Sequence, residues 1–255
     1  MRLYEVTSGF TPDKFTPGEV RSTGDAGFGL GDEQEELGRG IFGKAFSTPQ
    51  EPGTVRKVVG PISEHEFGRD AYFKYLKLLV KNDRFANNPY FPKIFDLQVK
   101  KFPLPNLDPE NQPTPYRYAY AVDIERLHNY DDLSNREALA IGKRMFYDFE
   151  RLVKKDVKGI AKWGEDYKEG KPYKREYRMA LISLIESVVD YPKMFRAETI
   201  FKDPDFKKAA MLLRNLRSKT QKAGITMFFD LHSGNIMVRR GPAGPHLVFS
   251  DPVAH

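Results

Sequence analysis

The sequence contains no cysteine, which excludes a disulfide framework and a thiolate zinc site. It also lacks any run of about 18 apolar residues that could cross a membrane. Charge of one sign does not dominate, because the sequence has 41 basic and 35 acidic residues. Such a mixed composition is not typical of a protein that binds nucleic acid. The opening MRLYEVTSGF has neither the basic flank nor the apolar run of a signal peptide. We therefore expect a soluble cytoplasmic protein with no membrane partner and no specific nucleic-acid binding.

The hydrophobic content is sufficient for the core of one large domain or two small lobes, since 40% of the 255 residues are hydrophobic. Residues 1–36 are polar and glycine-rich without a regular period, which predicts an extension with little regular structure. Residues 37–123 read as strand, strand, helix, strand, strand, which predicts a small antiparallel sheet carrying one helix. Residues 124–255 change character and become mainly helical before ending in short strands. The sequence thus predicts an α+β protein with two lobes.

Helical periodicity locates the helices of both lobes. Phe67, Ala71, Tyr75 and Leu79 share one face, which predicts a single helix in the sheet lobe. Three helices are expected in the second lobe. The first begins at a capping box of Ser134 and Glu137 and has an apolar face of Ile141, Met145, Phe149 and Leu152. The second covers the apolar stretch 179–189, and the third begins at the cap Asp203 with Pro204 and ends at Gly224.

The end of the sequence concentrates acidic and amide side chains near short β runs. Asp230 and Asn235 are five residues apart in a loop, and Asp251 follows the next hairpin. Phosphoryl transfer requires a carboxylate that orients a hydroxyl, and an amide with a second carboxylate that hold Mg²⁺ on a nucleotide. Each residue alone is also an ordinary turn former. Together their spacing indicates a catalytic and metal-binding loop.

His232 lies inside the same loop and has two interpretations. Imidazole is a common zinc ligand, but no second ligand stands at a zinc spacing from it. We therefore favour a position near the transferred phosphate or a hydrogen bond within the loop.

A glycine motif precedes the sheet lobe's first strands. Gly38, Gly40 and Gly43 form G-x-G-x-x-G, and Ala45 follows two positions later. Glycines let the backbone approach phosphate oxygens, in a kinase or in a dinucleotide site. The motif runs into a β run and not into a helix, and Lys57 on the next strand could reach the α and β phosphates of ATP. This context favours a kinase arrangement, although a solvated strand lysine is the plain alternative.

A kinase-type lysine needs an acidic partner on the following helix. Glu64, Glu66 and Asp70 all begin that helix, and any of them could instead be favoured there by the helix dipole. We select Glu66 as the partner and keep Glu64 and Asp70 as alternatives.

The adenine side of the predicted site is placed where the sheet lobe gives way to the helical lobe. In AVDIERLHN we expect Ile124 to face the pocket, and the backbones of Glu125 and Leu127 to bond the base.

These stretches together resemble a known family. LGRGIFGKAF, VRKVV, DIERL, DLHSGNIM and FSDP occur in the order and at roughly the spacing of the protein-kinase-like fold. The chain resembles the early serine/threonine protein kinases of T7-type bacteriophages, which share the look of DAGF, DLHSGNIM and SDPV. The resemblance covers about residues 24–255. DLHSGNIM is also similar to a stretch of aminoglycoside and choline phosphotransferases.

The resemblance implies ATP and Mg²⁺ as cofactors and assigns the roles. Asp230 becomes the catalytic base, Asn235 and Asp251 the metal ligands, Lys57 the phosphate anchor, and the three glycines the phosphate loop. It further implies substrates among host bacterial proteins in the host cytoplasm, with the transcription machinery and its RNA polymerase among the candidates.

The sequence departs from the protein-kinase pattern in three places. FFD stands where many protein kinases have His-Arg before the aspartate, and SDP replaces Asp-Phe-Gly. The sequence ends at His255, so we expect a truncated helical lobe without an activation segment. Two alternatives stay open for this reason: a small-molecule phosphotransferase, and a non-catalytic binding protein that docks through residues 1–36 and the basic stretch 154–178.

Overall fold

A computed structural model of the chain describes residues 4–5, 35–39, 43–48, 51–103, 116–153, 177–190 and 200–254. The fold is α+β, as the sequence predicts. The chain divides into a sheet unit, residues 1–86 with 93–126, and a helical unit, residues 87–92 with 127–255. Among the described residues, no helix combines the length and apolarity needed to cross a membrane.

The sheet unit contains a six-stranded sheet. Its strands are β1 (Tyr4–Glu5), β2 (Glu36–Arg39), β3 (Gly43–Ser47), β4 (Thr54–Ser63), β5 (Ile94–Pro103) and β6 (Tyr116–Glu125), in the order β1-β5-β6-β4-β3-β2. All pairs are antiparallel except β1 with β5. The two strands predicted after the helix are confirmed, but three strands precede it where two were predicted, because the first predicted run contains both β2 and β3. Of residues 1–36, which were expected to have little regular structure, the structure describes only 4–5 and 35–36, and residues 4–5 pair with the edge of β5.

Alternation along the strands supplies the core of this sheet. Ala119 and Ala121 are two residues apart on β6, so both side chains face the same side. They form a buried cluster with Phe46, Val58 and Phe102 from the neighbouring strands. Small residues on the central strand leave room for the two phenylalanines beside it.

Three helices follow β4, where the sequence predicted one. They are α1 (Glu64–Arg69), α2 (Ala71–Lys81) and α3 (Asp83–Ala86). The break falls at Asp70, whose Oδ1 accepts the N–H of Phe73 at 2.9 Å and whose Oδ2 accepts the hydroxyl of Tyr120 at 2.9 Å. The carboxylate therefore caps a new helix and ends the old one.

In the described part of the helical unit there are three long helices, a three-stranded sheet and a two-stranded sheet. Its elements are β7 (His128–Asn129), α4 (Asn135–Met145), a helical turn over 149–153, α5 (Tyr177–Asp190), α6 (Pro204–Lys222), β8 (Phe228–Phe229), β9 (Ile236–Gly241), β10 (Gly244–Phe249) and β11 (Val253–Ala254). Strands β10, β9 and β7 form one sheet, and β11 pairs with β8. The predicted capping box at Ser134 and Glu137 is confirmed, as is the cap at Asp203.

Helix α4 ends earlier than its apolar periodicity predicts. The prediction carried the helix through Leu152, but α4 stops at Met145. The chain leaves the helix there because its backbone bonds a distant segment: the N–H of Tyr147 donates to Ile200 O at 2.9 Å, and the N–H of Lys202 donates to Met145 O at 2.9 Å.

Residues 87–92 lie between α3 and β5 in sequence and pack in the helical unit. The hydroxyl of Tyr90 donates to Asp203 Oδ2 at 2.7 Å, and its ring lies 5.2 Å from the ring of Phe206. Arg239 donates to the carbonyls of Pro89 and Phe91 at 2.7 and 3.1 Å. This segment thereby ties the start of α6 to β9.

Gly142 provides a test of packing in α4. Its Cα faces the ring of buried Phe149 so closely that an added Cβ would overlap Cε1 and Cδ1 of that ring. We expect Gly142→Ala to lower the free energy of unfolding by about 1–3 kcal/mol through overpacking. Gly68→Ala in α1 is the matched control, because no atom lies within 4 Å of its added Cβ. Alanine there should be neutral or stabilising. Urea unfolding measures both, and a stabilised Gly142→Ala would contradict the packing.

His246 on β10 predicts acid sensitivity of the helical unit. Burial, then Arg144 and Arg239, lower its pKa from 6.5 to about 4, although Asp203 and Asp205 oppose the shift. Within the described residues, its buried Nε2 has no hydrogen-bond partner. The pKa of His246 is lower in the folded protein than in the unfolded chain. The free energy of unfolding is therefore fully retained above pH 6.5, and it falls below pH 6.5 as the unfolded chain takes up a proton that the folded protein does not bind.

We expect about 1–2 kcal/mol of this loss between pH 6.5 and pH 4, since the half-buried ring is partly screened by solvent. Urea unfolding at several pH values should show a flatter profile for His246→Phe than for the wild type. Exposed His65→Phe is the control and should keep the wild-type slope. Equal slopes in all three proteins would contradict the assignment.

Candidate functional site

The loop that carries Asp230 is held by the ribbon of β8 and β11. Phe229 pairs with Val253, and the N–H of Asp230 donates to Pro252 O at 3.0 Å. Asp230 therefore leaves β8 beside the segment that carries Asp251. The structure brings these two predicted residues onto adjacent backbones.

Asn235 joins both carboxylate-bearing segments. Its Nδ2 donates to Asp230 Oδ2 at 2.8 Å and to the carbonyl of Asp230 at 2.9 Å. Its own carbonyl accepts the N–H of Asp251 at 3.3 Å, and the N–H and hydroxyl of Ser250 at 3.0 and 2.9 Å. The three residues predicted from the sequence thus form one hydrogen-bonded cluster within the helical unit.

The ring of His232 folds back over this loop. Its Nδ1 accepts the N–H of Gly234 at 3.0 Å, and its Nε2 lies 3.4 Å from Asp230 Oδ1 and 3.1 Å from Asn235 Nδ2. A Cβ on Gly234 would approach the ring's Cε1 to 2.9 Å, so glycine is what permits the fold-back. With Nδ1 accepting, a neutral imidazole carries its proton on Nε2, toward Asp230. The predicted bond within the loop is present.

The donor set fits a hard divalent cation. Within the described part of the chain, Asn235 Oδ1 receives no hydrogen bond, and its amide nitrogen is already bound to Asp230. Mg²⁺ prefers such oxygen donors. Across the same residues, no three His, Cys, Asp or Glu side chains form a metal-binding group. A cation here would therefore use the amide oxygen of Asn235 together with the carboxylate of Asp251.

Glu186 on α5 is a neighbour that the sequence did not reveal. Partial desolvation, and then the carboxylates of Asp190 and Asp230, raise its pKa, while His232 opposes the rise. A helix 44 residues upstream of Asp230 gives no local signal of this proximity. The loop that carries Asp230 therefore lies in a more acidic environment than its own sequence predicts.

The glycine motif lies on a β-hairpin of the sheet unit. Gly38 is in β2 and Gly43 opens β3, while Gly40 lies outside the described residues. A Cβ on Gly43 would lie 2.5 Å from Val58 O, so the hairpin requires glycine at this position. The chain continues from the motif into a strand and not into a helix, which disfavours the dinucleotide interpretation.

Strand register places Lys57 beside the motif. Gly38 pairs with Ala45, Ala45 pairs with Lys57, and Lys57 pairs with Val122 on β6. Directly paired side chains share one face of a sheet. The structure thus brings together the predicted glycine, alanine and lysine in one row across three strands.

The predicted pairing of Glu66 with Lys57 is not formed in this structure. Glu66 is the N3 residue of a capping box, and its Oε2 accepts the N–H and hydroxyl of Ser63 at 2.9 and 2.7 Å. These bonds hold the pKa of Glu66 below its usual value. Nζ of Lys57 lies 3.9 Å from the ring centroid of Tyr72. The carboxylate of Glu66, which we had assigned to Lys57, instead caps the start of its own helix.

The two alternatives to Glu66 also have other partners. Glu64 accepts the hydroxyl of Tyr118 at 3.2 Å, and Asp70 caps α2. The acid that pairs with Lys57 during a reaction stays a prediction.

The residues predicted to bind adenine fall at the end of β6. Ile124 is buried, and the N–H of Glu125 donates to Lys93 O at 3.0 Å. That N–H is therefore committed to the sheet edge. Leu127 belongs to the helical unit.

Comparison with known proteins adds no identification. No protein-family profile matches this chain, and no curated protein matches it either. The functional argument therefore depends on the residues and their geometry.

Proposed function

We propose that this protein is an ATP-dependent serine/threonine protein kinase. The observation that carries the proposal is the hydrogen-bonded cluster of Asp230, Asn235 and Asp251. A base, a metal-binding amide and a metal-binding carboxylate are the parts that phosphoryl transfer to a hydroxyl needs.

Asp230 acts on the acceptor hydroxyl in this proposal. The serine or threonine oxygen forms a bond to the γ-phosphorus, and the bond from that phosphorus to the bridging oxygen breaks. ADP leaves with the electron pair, and the hydroxyl proton passes to the carboxylate of Asp230. Asn235 fixes Oδ2 of that carboxylate, and His232 lies against Oδ1, so the base has a defined orientation.

Asn235 and Asp251 are the residues that would hold Mg²⁺. When bound, the metal neutralises charge on the nucleotide's phosphates. The backbone bond from Asp251 to the carbonyl of Asn235 keeps the two ligands side by side.

The sheet unit would bind the phosphates of the nucleotide. Its support is the row of Gly38, Ala45 and Lys57 on neighbouring strands. A pairing of Lys57 with Glu66 requires the capping box at Ser63 to open, so we expect the lysine to change partners when the nucleotide binds.

Host bacterial proteins are the proposed substrates, with the transcription machinery first among them. This part of the proposal is based on the resemblance to T7-type phage kinases. The basic stretch 154–178 was predicted as a docking site for the non-catalytic alternative, and its residues 154–176 lie outside the described residues.

A second function is favoured by one observation. Glu186 adds a carboxylate near Asp230, and an acidic environment suits a cationic small acceptor such as an aminoglycoside or choline. The protein would then be a small-molecule phosphotransferase with the same transfer chemistry.

Transfer from γ-labelled ATP with Mg²⁺ separates these functions. The purified protein is assayed alone, with bacterial lysate, and with kanamycin or choline. We expect labelled protein bands in the first two reactions. Label on the small acceptors alone would establish the second function, and nucleotide binding without any transfer would leave a non-catalytic binding protein.

A further inference from the structure

Arg217 on α6 connects three elements of the helical unit around the start of the catalytic loop. It forms an ion pair with Asp190, the last residue of α5. Its guanidinium carbon lies 5.2 Å from the ring centroid of Phe229 on β8. Phe229 directly precedes Asp230. A single side chain therefore links two helices to the residue before the proposed base.

The ion pair holds the guanidinium in place. Asp190 ends α5, where the helix dipole disfavours a carboxylate, and the cation of Arg217 offsets this cost. Both side chains are partly buried, at 30% and 22% exposure, so solvent screens the pair less than a surface pair. Asp190 thereby fixes the position from which Arg217 faces the ring.

The contact with the ring of Phe229 transmits this restraint to the site. Phe229 pairs with Val253, and the next N–H, that of Asp230, donates to Pro252 O. Asp230 and Asp251 thus both lie at the same end of the strand pair that contains Phe229. A planar guanidinium stacks on an aromatic face, which an ammonium does less well.

We propose that Arg217 is a positioning residue that holds the β8–β11 ribbon, and with it the carboxylates of Asp230 and Asp251. It touches neither the nucleotide nor the acceptor in this proposal. The effect on transfer rests on the proposed function, whereas the restraint on the ribbon does not.

The test compares Arg217→Met with Lys219→Met. Both remove one positive charge from α6, but Lys219 is exposed and its side chain makes no hydrogen bond or ion pair within the described residues. Hydrogen exchange followed by mass spectrometry reports on peptides covering residues 228–231 and 250–254. We expect exchange there to accelerate about tenfold in Arg217→Met and to stay at the wild-type rate in Lys219→Met. Equal exchange in the two variants would overturn the inference.

Steady-state kinetics provides the second readout. A displaced base lowers kcat by about fivefold to tenfold while KM for ATP stays within about twofold, since the phosphate-binding residues are untouched. Arg217→Lys should be intermediate in both readouts, because it keeps the ion pair and loses the planar stack. If Arg217→Met does not fold, Arg217→Lys and Asp190→Asn take its place. The comparison of their exchange rates with that of Lys219→Met then decides whether Arg217 positions the ribbon.

The two readouts separate this inference from the proposed function. A wild type that transfers no phosphate contradicts the kinase, while faster exchange in Arg217→Met would still support the positioning role. An active wild type with unchanged exchange in Arg217→Met would leave the kinase intact and contradict the positioning role.

Discussion

Asp230→Asn is expected to lower the rate of phosphate transfer by about 10³-fold, the middle of the range for loss of a general base. Asparagine has nearly the same shape, and its amide oxygen can still accept the bond that Asn235 Nδ2 makes to Oδ2 at 2.8 Å. The loop should therefore keep its structure while losing the group that takes the hydroxyl proton. KM for ATP should change little, because Asp230 is assigned no contact with the nucleotide.

Asp132→Asn is the matched control for this prediction. Asp132 is an exposed carboxylate of the same unit, and it makes no side-chain contact within the described residues. Its replacement removes the same charge and should leave kcat and KM unchanged. If Asp230→Asn retained more than about a tenth of the wild-type kcat, the assignment of Asp230 as base would be wrong.

Asn235→Ala is expected to lower transfer by about 10²-fold or more and to raise the Mg²⁺ concentration needed for half-maximal activity by about 10- to 100-fold. The substitution removes the amide oxygen assigned to the metal, and it also releases Oδ2 and the carbonyl of Asp230 from Nδ2. Both losses affect the same cluster. The measurement is initial rate against Mg²⁺ concentration at saturating ATP.

Asn215→Ala controls for the loss of an amide. Asn215 is exposed on α6, where alanine is the better helix former, so stability should not fall. A Mg²⁺ titration of Asn235→Ala that overlays the wild type and Asn215→Ala would contradict the role of Asn235 as a ligand.

Much of the cluster of Asp230, Asn235 and Asp251 could be predicted because its parts are close in sequence. Asp230 and Asn235 are separated by one short loop, and Asp251 follows one hairpin later. Turn and strand signals over so short a stretch leave few ways to arrange the side chains. The caps at Ser134 and Asp203 were predictable for the same reason, since a cap and its helix are neighbours.

Competing local hydrogen bonds explain why the predicted roles of two acidic residues differ from the structure. Glu66 was equally suited to pair with a distant lysine and to close a capping box three residues from Ser63, and in this structure the local bond is formed. Asp70 was expected within a single helix, but its carboxylate caps α2 through the N–H of Phe73 and also accepts the hydroxyl of Tyr120 on β6.

Contacts between distant segments could not be read from the sequence at all. The early end of α4 depends on backbone bonds to residues 200–202. Glu186 and Arg217 approach the loop that carries Asp230 only because α5 and α6 pack against each other. Neither residue belongs to a sequence motif. Their distance from Asp230 in the sequence does not indicate proximity in space until the packing of the helices is known.

The most direct test of the central claim is the fate of the γ-phosphate itself. ATP carrying ¹⁸O in its γ-phosphate is incubated with the purified protein, Mg²⁺ and bacterial lysate, and the products are mapped by mass spectrometry. The account predicts heavy phosphate on serine and threonine hydroxyls with the wild type and none above background with Asp230→Asn. Heavy label found only in unreacted ATP, or in proteins at equal levels with both, would contradict it.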